Sequence, residues 1–394
     1  MKIIHICSYF NTSKLYKNLF ESLANINVKQ EVFIPLYKNE PLVPENYGTV
    51  REKEKSRKNI SYTYINCLYK PERYFLKHRI RKLYRILNKN ISISDYDLLH
   101  GHSLFANGGI CYLVKKRYNI DYLVAFRNTD LSVYKKFFYY RNLAKKIISH
   151  SSKLIFVSYA LKYKFLDLVK DQQFKEIIKK KSVVVPNGLT EKWYNPNIKK
   201  DIKNIDKESK VNFIYQGTFH KRKNIEYIIK IIEELNDQNI NANFKLVGGG
   251  PQKDSLLKLI NNSRYKSKFN IENWTNNLEE LINNYKDNDI FIMPSSNETF
   301  GISYIEALSI GLPIVYKNRD GIDGFFSKYR VGKKISTKNL YYDVKRIIDL
   351  IDNYQYFRNN TQKVINDFRW SNISEKYLNY YKNILLAGDN NETL

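Results

Sequence analysis

At 394 residues and 43% hydrophobic content, the chain is longer than one usual domain and carries enough apolar material for two cores of ordinary size. Lys and Arg number 66 against 39 Asp and Glu, a formal net charge of +27 that bears on surfaces and partners rather than on fold. Cys7, Cys67 and Cys111 stand far apart with no Cys-x-x-Cys pair, which argues against a disulfide framework or a zinc ribbon and for a reducing cytoplasm.

The N-terminal half alternates strand-like and helix-like segments. Ile3 to Cys7 reads as a strand, Leu15 to Ala24 as a helix and Val32 to Pro35 as a strand. With the first strand beginning at Lys2, no signal peptide is expected, and no apolar run approaches the roughly 20 residues needed to span a bilayer. A soluble or peripheral cytoplasmic protein is expected. Asn11 lies in the loop after the first strand, in a position to face a ligand. Positive charge is densest from Arg51 to Lys89. Within it, Arg73 to Lys89 has helical spacing, with Leu76, Ile80, Leu83, Tyr84 and Leu87 on one stripe and Arg73, Lys77, Arg81 and Arg85 beside it. Two readings stand: a domain helix with its stripe packed inward, or a helix lying on an anionic membrane at the inner face of the plasma membrane.

Further strands are expected at Leu98 to Gly101, Leu123 to Phe126, Leu154 to Val157 and Val183 to Val185, giving an open parallel sheet with helices on both faces. His100 and His102 are two apart and share a strand face, but no third metal ligand is evident in the sequence. Arg127 and Asn128 follow the next strand. Asp95-Tyr-Asp97 and Asp287-Asn-Asp289 precede strands, on the wrong side of a parallel sheet for binding, and read as turns. The polar stretch Asn195 to Lys210 reads as a linker.

A second series begins at Val211, with strands at Phe213 to Tyr215, Phe244 to Val247, Phe269 to Ile271, Ile290 to Met293 and Pro313 to Val315. Helices fit at Glu226 to Leu235, Ser255 to Asn261 and Leu278 to Tyr285, making a second doubly wound unit. A final helix runs from Trp370 to Leu386, with Ile373, Tyr377, Tyr380 and Ile384 on one side. Gly217-Thr218-Phe-His220-Lys221-Arg222-Lys223 joins a strand to a helix, and Arg222 and Lys223 are suited to neutralising a diphosphate. Gly248-Gly-Gly-Pro251 follows the next strand. Asn273 and Trp274 end the one after, and Trp274 is either a stacking platform or a core aromatic.

The most informative stretch is Ser295-Ser-Asn-Glu298-Thr299-Phe300-Gly301-Ile302, continuing through Glu306 to Gly311-Leu-Pro313. A helix starting near Gly301 offers unpaired N–H groups and a positive dipole end to phosphate. Glu306 lies about one turn past Ile302 and can accept hydrogen bonds from hydroxyls. Glu298, in the loop before the helix, is free to bind a second polar part of the same ligand.

These landmarks resemble the donor-binding signature of retaining GT-B glycosyltransferases of the family-four type. The resemblance implies an α/β fold of two doubly wound Rossmann-like domains facing each other across a cleft. The acceptor domain would be 1–194, the linker 195–210 and the donor domain 211–369, with a helix at about 370–386 crossing back to the first domain. It implies sugar transfer from a nucleotide diphosphate donor, with a family bias to UDP-sugars, onto a hydroxyl of a saccharide or lipid-linked acceptor. Cell-surface polysaccharide or lipopolysaccharide assembly is the expected setting. Glu298 matches the acid that contacts the sugar, Glu306 the one that holds the ribose, and Arg222 and Lys223 the phosphate-binding cations. Thr299, Phe300, Gly301, Ile302, Gly217, Thr218, Asn273 and Trp274 fall in donor-binding positions, and Asn11, His102, Arg127 and Asn128 on the acceptor side. No metal and no cofactor are expected, the nucleotide-sugar being a substrate. Thr218 stands where many members carry Arg, and Arg127 where many carry His. The alternatives are another GT-B enzyme, such as a nucleotide-sugar epimerase or phosphorylase, and a nucleic-acid-binding protein. The last is disfavoured because the cations are dispersed and no nucleic-acid module is visible.

Overall fold

A computed structural model describes residues 1–38, 59–198, 205–206 and 208–389. Residues 51–58 of the basic stretch, residues 199–204 and 207 of the expected linker, and the side chain of Arg73 lie outside the described residues. The chain divides into two compact units. One comprises 1–157, 161–188 and the segment from 370 on; the other comprises 158–160 and 189–369.

The first unit holds a seven-stranded, wholly parallel sheet in the order β3-β2-β1-β4-β5-β6-β7. Its strands are β1 (Lys2–Ile6), β2 (Lys29–Tyr37), β3 (Ile60–Leu68), β4 (Leu98–Gly101), β5 (Asp121–Phe126), β6 (Lys153–Phe156) and β7 (Ser182–Val184). The central strands are buried on both faces, which is why they read as near-continuous apolar runs. Edge strand β3 is half exposed and its polar residues mix with tyrosines, so its sequence carries no clean strand signature. Between the strands run α1 (Lys14–Asn25), α2 (Leu76–Asn90), α3 (Ala106–Tyr118), α4 (Asn128–Lys136), α5 (Arg141–His150), α6 (Tyr159–Leu168) and α7 (Gln172–Lys181). Ser13 starts α1 by accepting the backbone N–H of Leu15 on its hydroxyl.

The apolar stripe of α2 faces inward: Ile80, Leu83 and Leu87 are buried, and Ile80 packs so closely on Gly109 of α3 that a Cβ there would lie 2.5 Å from it. Of the two readings of this helix, the inward-packed one describes its apolar side.

The second unit holds six parallel strands in the order β10-β9-β8-β11-β12-β13. They are β8 (Val211–Thr218), β9 (Ala242–Gly249), β10 (Phe269–Glu272), β11 (Ile290–Met293), β12 (Ile314–Lys317) and β13 (Gly332–Ile335). Helices α8 (Ile225–Asp237), α9 (Lys253–Asn261), α10 (Leu278–Lys286) and α11 (Ile302–Ile310) connect the strands up to β12, and α12 (Leu340–Asp352) and α13 (Tyr354–Val364) follow β13. β13, α12 and α13 were not anticipated: Gly-Lys-Lys-Ile is too short and too charged to announce a strand.

The last helix, α14 (Trp370–Asp389), belongs to the first unit. Trp370, Ile373, Tyr377, Tyr381 and Ile384 join the core formed by α1 and the sheet. Tyr381, not Tyr380, completes the buried stripe, because four-residue steps from Ile373 and Tyr377 lead to it.

Candidate active site

In the second unit strand order reverses between β8 and β11, and the carboxyl ends of these neighbours carry the two informative loops. Such a switch point is where open α/β sheets bind ligands. The loops are latched to one another. Ser296 donates its backbone N–H to the Arg222 carbonyl at 2.6 Å, and the Asn224 side-chain amide donates to the Pro294 carbonyl at 2.7 Å and to Ser296 Oγ at 3.0 Å. Lys317, ending β12, donates to the same Ser296 hydroxyl at 2.6 Å.

This latch brings Glu298, Arg222 and Lys223 together. Glu298 Oε2 accepts from Lys223 Nζ at 2.6 Å and from Arg222 Nη1 at 3.0 Å. Burial opposes ionisation of Glu298, yet the adjoining Lys223 and Arg222 outweigh it and hold the carboxyl below its usual range. Lys223 is 7% exposed, and its burial lowers its pKa despite the carboxylate beside it. The Arg222 side chain remains 44% exposed, open to a further anion.

Two glycines let the backbone approach. Gly301 has φ +90° ahead of α11, and a Cβ there would meet the Tyr304 ring at 2.6 Å. A Cβ on Gly248 would lie 1.9 Å from the Gly217 carbonyl, so the ends of β8 and β9 meet only without side chains. Phe300 is buried against Phe325 and Phe368 and anchors the loop. The Thr299 carbonyl accepts from Ser158 Oγ at 2.7 Å, and Ile302 opens α11. Thr218 is exposed, and its carbonyl accepts from the Tyr215 hydroxyl at 2.8 Å.

Glu306 lies within α11 and accepts a hydrogen bond from the Tyr285 hydroxyl at 3.0 Å. The residue keeps a partly exposed edge, but its carboxyl is deep enough that burial pushes its pKa up to about 7. Among the described residues no ion pair joins Glu306 to Arg222 or Lys223. Trp274 is 50% exposed, which removes the core reading, and its indole N–H is held by Asn276 at 3.0 Å. Asn273 accepts from Lys253 Nζ at 2.8 Å.

Asp320 escaped notice in the sequence. Buried after β12, it accepts the backbone N–H of Asn297 at 2.7 Å and of Gly321 at 3.0 Å, while Gly321 N–H donates to the Glu298 carbonyl at 3.2 Å. Asn297 is left-handed, at φ +56°, so Asp320 pins the residue that aims Glu298. A lone Asp-Gly pair reads as an ordinary turn, which is why this went unseen.

In the first unit, Asn11, His102, Arg127 and Asn128 follow the carboxyl ends of β1, β4 and β5. Arg127 donates from Nε to the His102 carbonyl at 3.3 Å and lies over the Tyr16 ring at 5.6 Å. The His102 side chain is wholly buried and faces the core, so its place on the ligand side is corrected. The reason is register. His5 of β1 pairs with His100 of β4, bringing His5, His100 and His102 onto one covered face with ring nitrogens within 4.8 Å of one another. His5 is thus the third imidazole that the sequence did not reveal. His5 Nδ1 and His102 Nε2 share a hydrogen bond at 3.1 Å, and His100 bonds the Tyr381 hydroxyl at 2.9 Å. Burial keeps all three neutral, pushing His5 down to about 3. Among the described residues no carboxylate or thiolate joins the set, one nitrogen of each ring (His5 Nε2, His100 Nε2 and His102 Nδ1) is buried without a hydrogen-bond partner, and the nearby Arg127 guanidinium opposes further positive charge. Asp130, also unforeseen, accepts backbone N–H groups from Leu104 at 3.0 Å, Phe105 at 3.2 Å and Arg127 at 2.9 Å, fixing the loops after β4 and β5.

Two parallel α/β units with the observed strand orders define the GT-B fold. Solved structures agree. Sucrose-phosphate synthase from Thermosynechococcus elongatus matches with TM-score 0.69 at 16% identity, covering 98% of this chain and 100% of that one. Anabaena HepE in complex with UDP-glucose matches with TM-score 0.65 at 14% identity, covering 97% and 100%. In sequence, an uncharacterised glycosyltransferase of Methanocaldococcus jannaschii is 26% identical over 278 residues, 68% of this chain and 69% of that protein. Residues 197–364, nearly all of the second unit, match the family of glycosyl transferases group 1. That region is similar to group 1 glycosyl transferases, and the chain as a whole has the GT-B fold.

Proposed function

We propose that the chain is a retaining glycosyltransferase that moves a sugar from a UDP-sugar to a hydroxyl of a saccharide or lipid-linked acceptor, without a metal ion. The observation that carries this reading is the Arg222–Glu298–Lys223 cluster at the β8/β11 switch point. A diphosphate placed there takes over the cations that Glu298 now holds, with the start of α11 adding its dipole. Freed from that pairing, Glu298 orients the sugar, and Glu306 accepts from the ribose hydroxyls. The bond from the anomeric carbon to the departing phosphate oxygen breaks as the bond to the acceptor oxygen forms on the same face. The acceptor proton passes to that phosphate oxygen. Arg222 and Lys223 stabilise the negative charge as it grows, in place of a divalent ion.

The acceptor side is assigned to the ends of β1, β4 and β5, where Asn11, Arg127 and Asn128 stand. A basic chain suits a phosphate-bearing acceptor such as a lipid carrier or a lipopolysaccharide core, and this supports a role in cell-surface polysaccharide or lipopolysaccharide assembly. The test is a saturation-transfer NMR screen of UDP-, GDP- and ADP-sugars, then product analysis by anomeric coupling constant with and without EDTA. UDP-sugar selection, an unchanged anomer and EDTA resistance are expected. An inverted anomer or loss of turnover on chelation would overturn the corresponding part.

A further inference from the structure

Two exposed aromatic segments of the first unit meet on its surface. Phe75, next to the start of α2, is 64% exposed and Tyr74 before it 66%. Phe138 and Tyr139, between α4 and α5, are 74% and 53% exposed. The segments adjoin: the Leu76 backbone lies next to the Tyr140 hydroxyl, and the Tyr139 and Tyr140 rings are 4.4 Å apart. Phenylalanines held this far into water, in adjoining segments from separate parts of the chain, cost free energy that folding does not recover.

The charges around them have one sign. Lys77, Arg81 and Arg85 step at four-residue intervals along the exposed side of α2, opposite the buried stripe. Lys135, Lys136 and Arg141 flank the second segment and are exposed. No Asp or Glu occurs from residue 73 to 94 or from 131 to 166. Rings at the centre with cations around them match a surface that is apolar beneath and anionic on top. A nucleic acid would be expected to find stacking faces backed by hydrogen-bonding side chains. Here the most exposed ring, Phe138, has no polar tip, and neither has Phe75.

We propose that the first unit docks on anionic phospholipid bilayers through Phe75, Phe138 and Tyr139, with Lys77, Arg81, Arg85, Lys135 and Lys136 against the lipid headgroups. This replaces the apolar stripe of α2 as the membrane-facing element, since that stripe is already buried.

The test is co-sedimentation of the full chain with vesicles of phosphatidylcholine alone or mixed with phosphatidylglycerol, without any sugar nucleotide, so that failure here leaves the donor-site reading untouched. Binding to the mixed vesicles only, weakened by salt, is expected. Phe75→Ser/Phe138→Ser should lower the partition coefficient roughly tenfold or more, and Arg81→Glu/Arg85→Glu should also lower it. Both pairs are on the surface, so thermal unfolding should not move. Absence of binding to mixed vesicles, or binding unchanged in the aromatic variant, would overturn the proposal. So would a wild-type dimer that the aromatic variant converts to monomer, or retention of a single-stranded oligonucleotide through the same residues in place of vesicles.

Discussion

Glu298 Oε2 lies 2.6 Å from Lys223 Nζ, joining a loop after β11 to a loop after β8 across 75 residues of sequence. Because the folded carboxyl is held below its ordinary range, its stabilisation is present above the unfolded pKa and is lost as pH falls through the folded one. Glu298→Gln leaves Lys223 mostly buried without its counter-charge, so a deficit of about 1–3 kcal/mol is expected at neutral pH. That deficit should shrink on acidification below about pH 4, the ordinary carboxylate range. Urea unfolding across pH measures it, and a deficit independent of pH would exclude the ion pair as its source.

Glu306 behaves in the opposite sense. With a pKa near 7 in the fold, it is increasingly protonated below neutrality, and only the ionised form accepts hydrogen bonds with both oxygens. Donor affinity should therefore rise about tenfold between about pH 6 and pH 8, the change in ionised fraction for a group titrating midway. In Glu306→Gln this pH dependence should vanish, with weaker binding throughout. Calorimetric titration at several pH values reads it directly.

Asp320→Ala tests the support beneath Glu298. Removing the carboxylate leaves the Asn297 N–H without that acceptor in a left-handed turn, at a cost of about 1–3 kcal/mol. Turnover should fall while UDP affinity changes little, because the cations stay in place and only the aim of Glu298 is lost. Asp320→Asn, which keeps an acceptor oxygen, should recover part of the turnover. Equal losses in both variants would mean that bulk stability, not positioning, is affected.

Trp274→Ala should leave thermal unfolding unchanged, since the indole is half exposed. If it stacks on the nucleotide base, affinity for UDP falls by about 1–3 kcal/mol, the worth of a base–aromatic contact. Unaltered UDP affinity would take Trp274 out of the donor site.

How much of this was legible in the sequence depended on whether the signal was local. β1, β4, β5, β8 and β11 announce themselves because strands buried on both faces must be apolar throughout. Edge strands β3 and β13 do not, since exposure admits Ser, Thr, Asn and Lys. In the site, Glu298, Gly301 and Glu306 stood out through spacing around one helix start. Tyr285, Lys317 and Asp320 did not, because their roles arise from contacts between distant segments and their types are common in cores and turns. His5 shows the same limit: nothing in its neighbours says that strand register sets it against His100.

The central claim is that Arg222 and Lys223, gathered by Glu298 at the end of β8, bind the diphosphate of the donor. The most direct measurement is calorimetric titration of UDP into the wild type and into Arg222→Ala/Lys223→Ala. The account predicts that UDP binds the wild type and that the double variant, still folded by circular dichroism, binds at least roughly a hundredfold more weakly, as loss of two charge-assisted contacts requires. UDP binding with equal affinity to both proteins would contradict it.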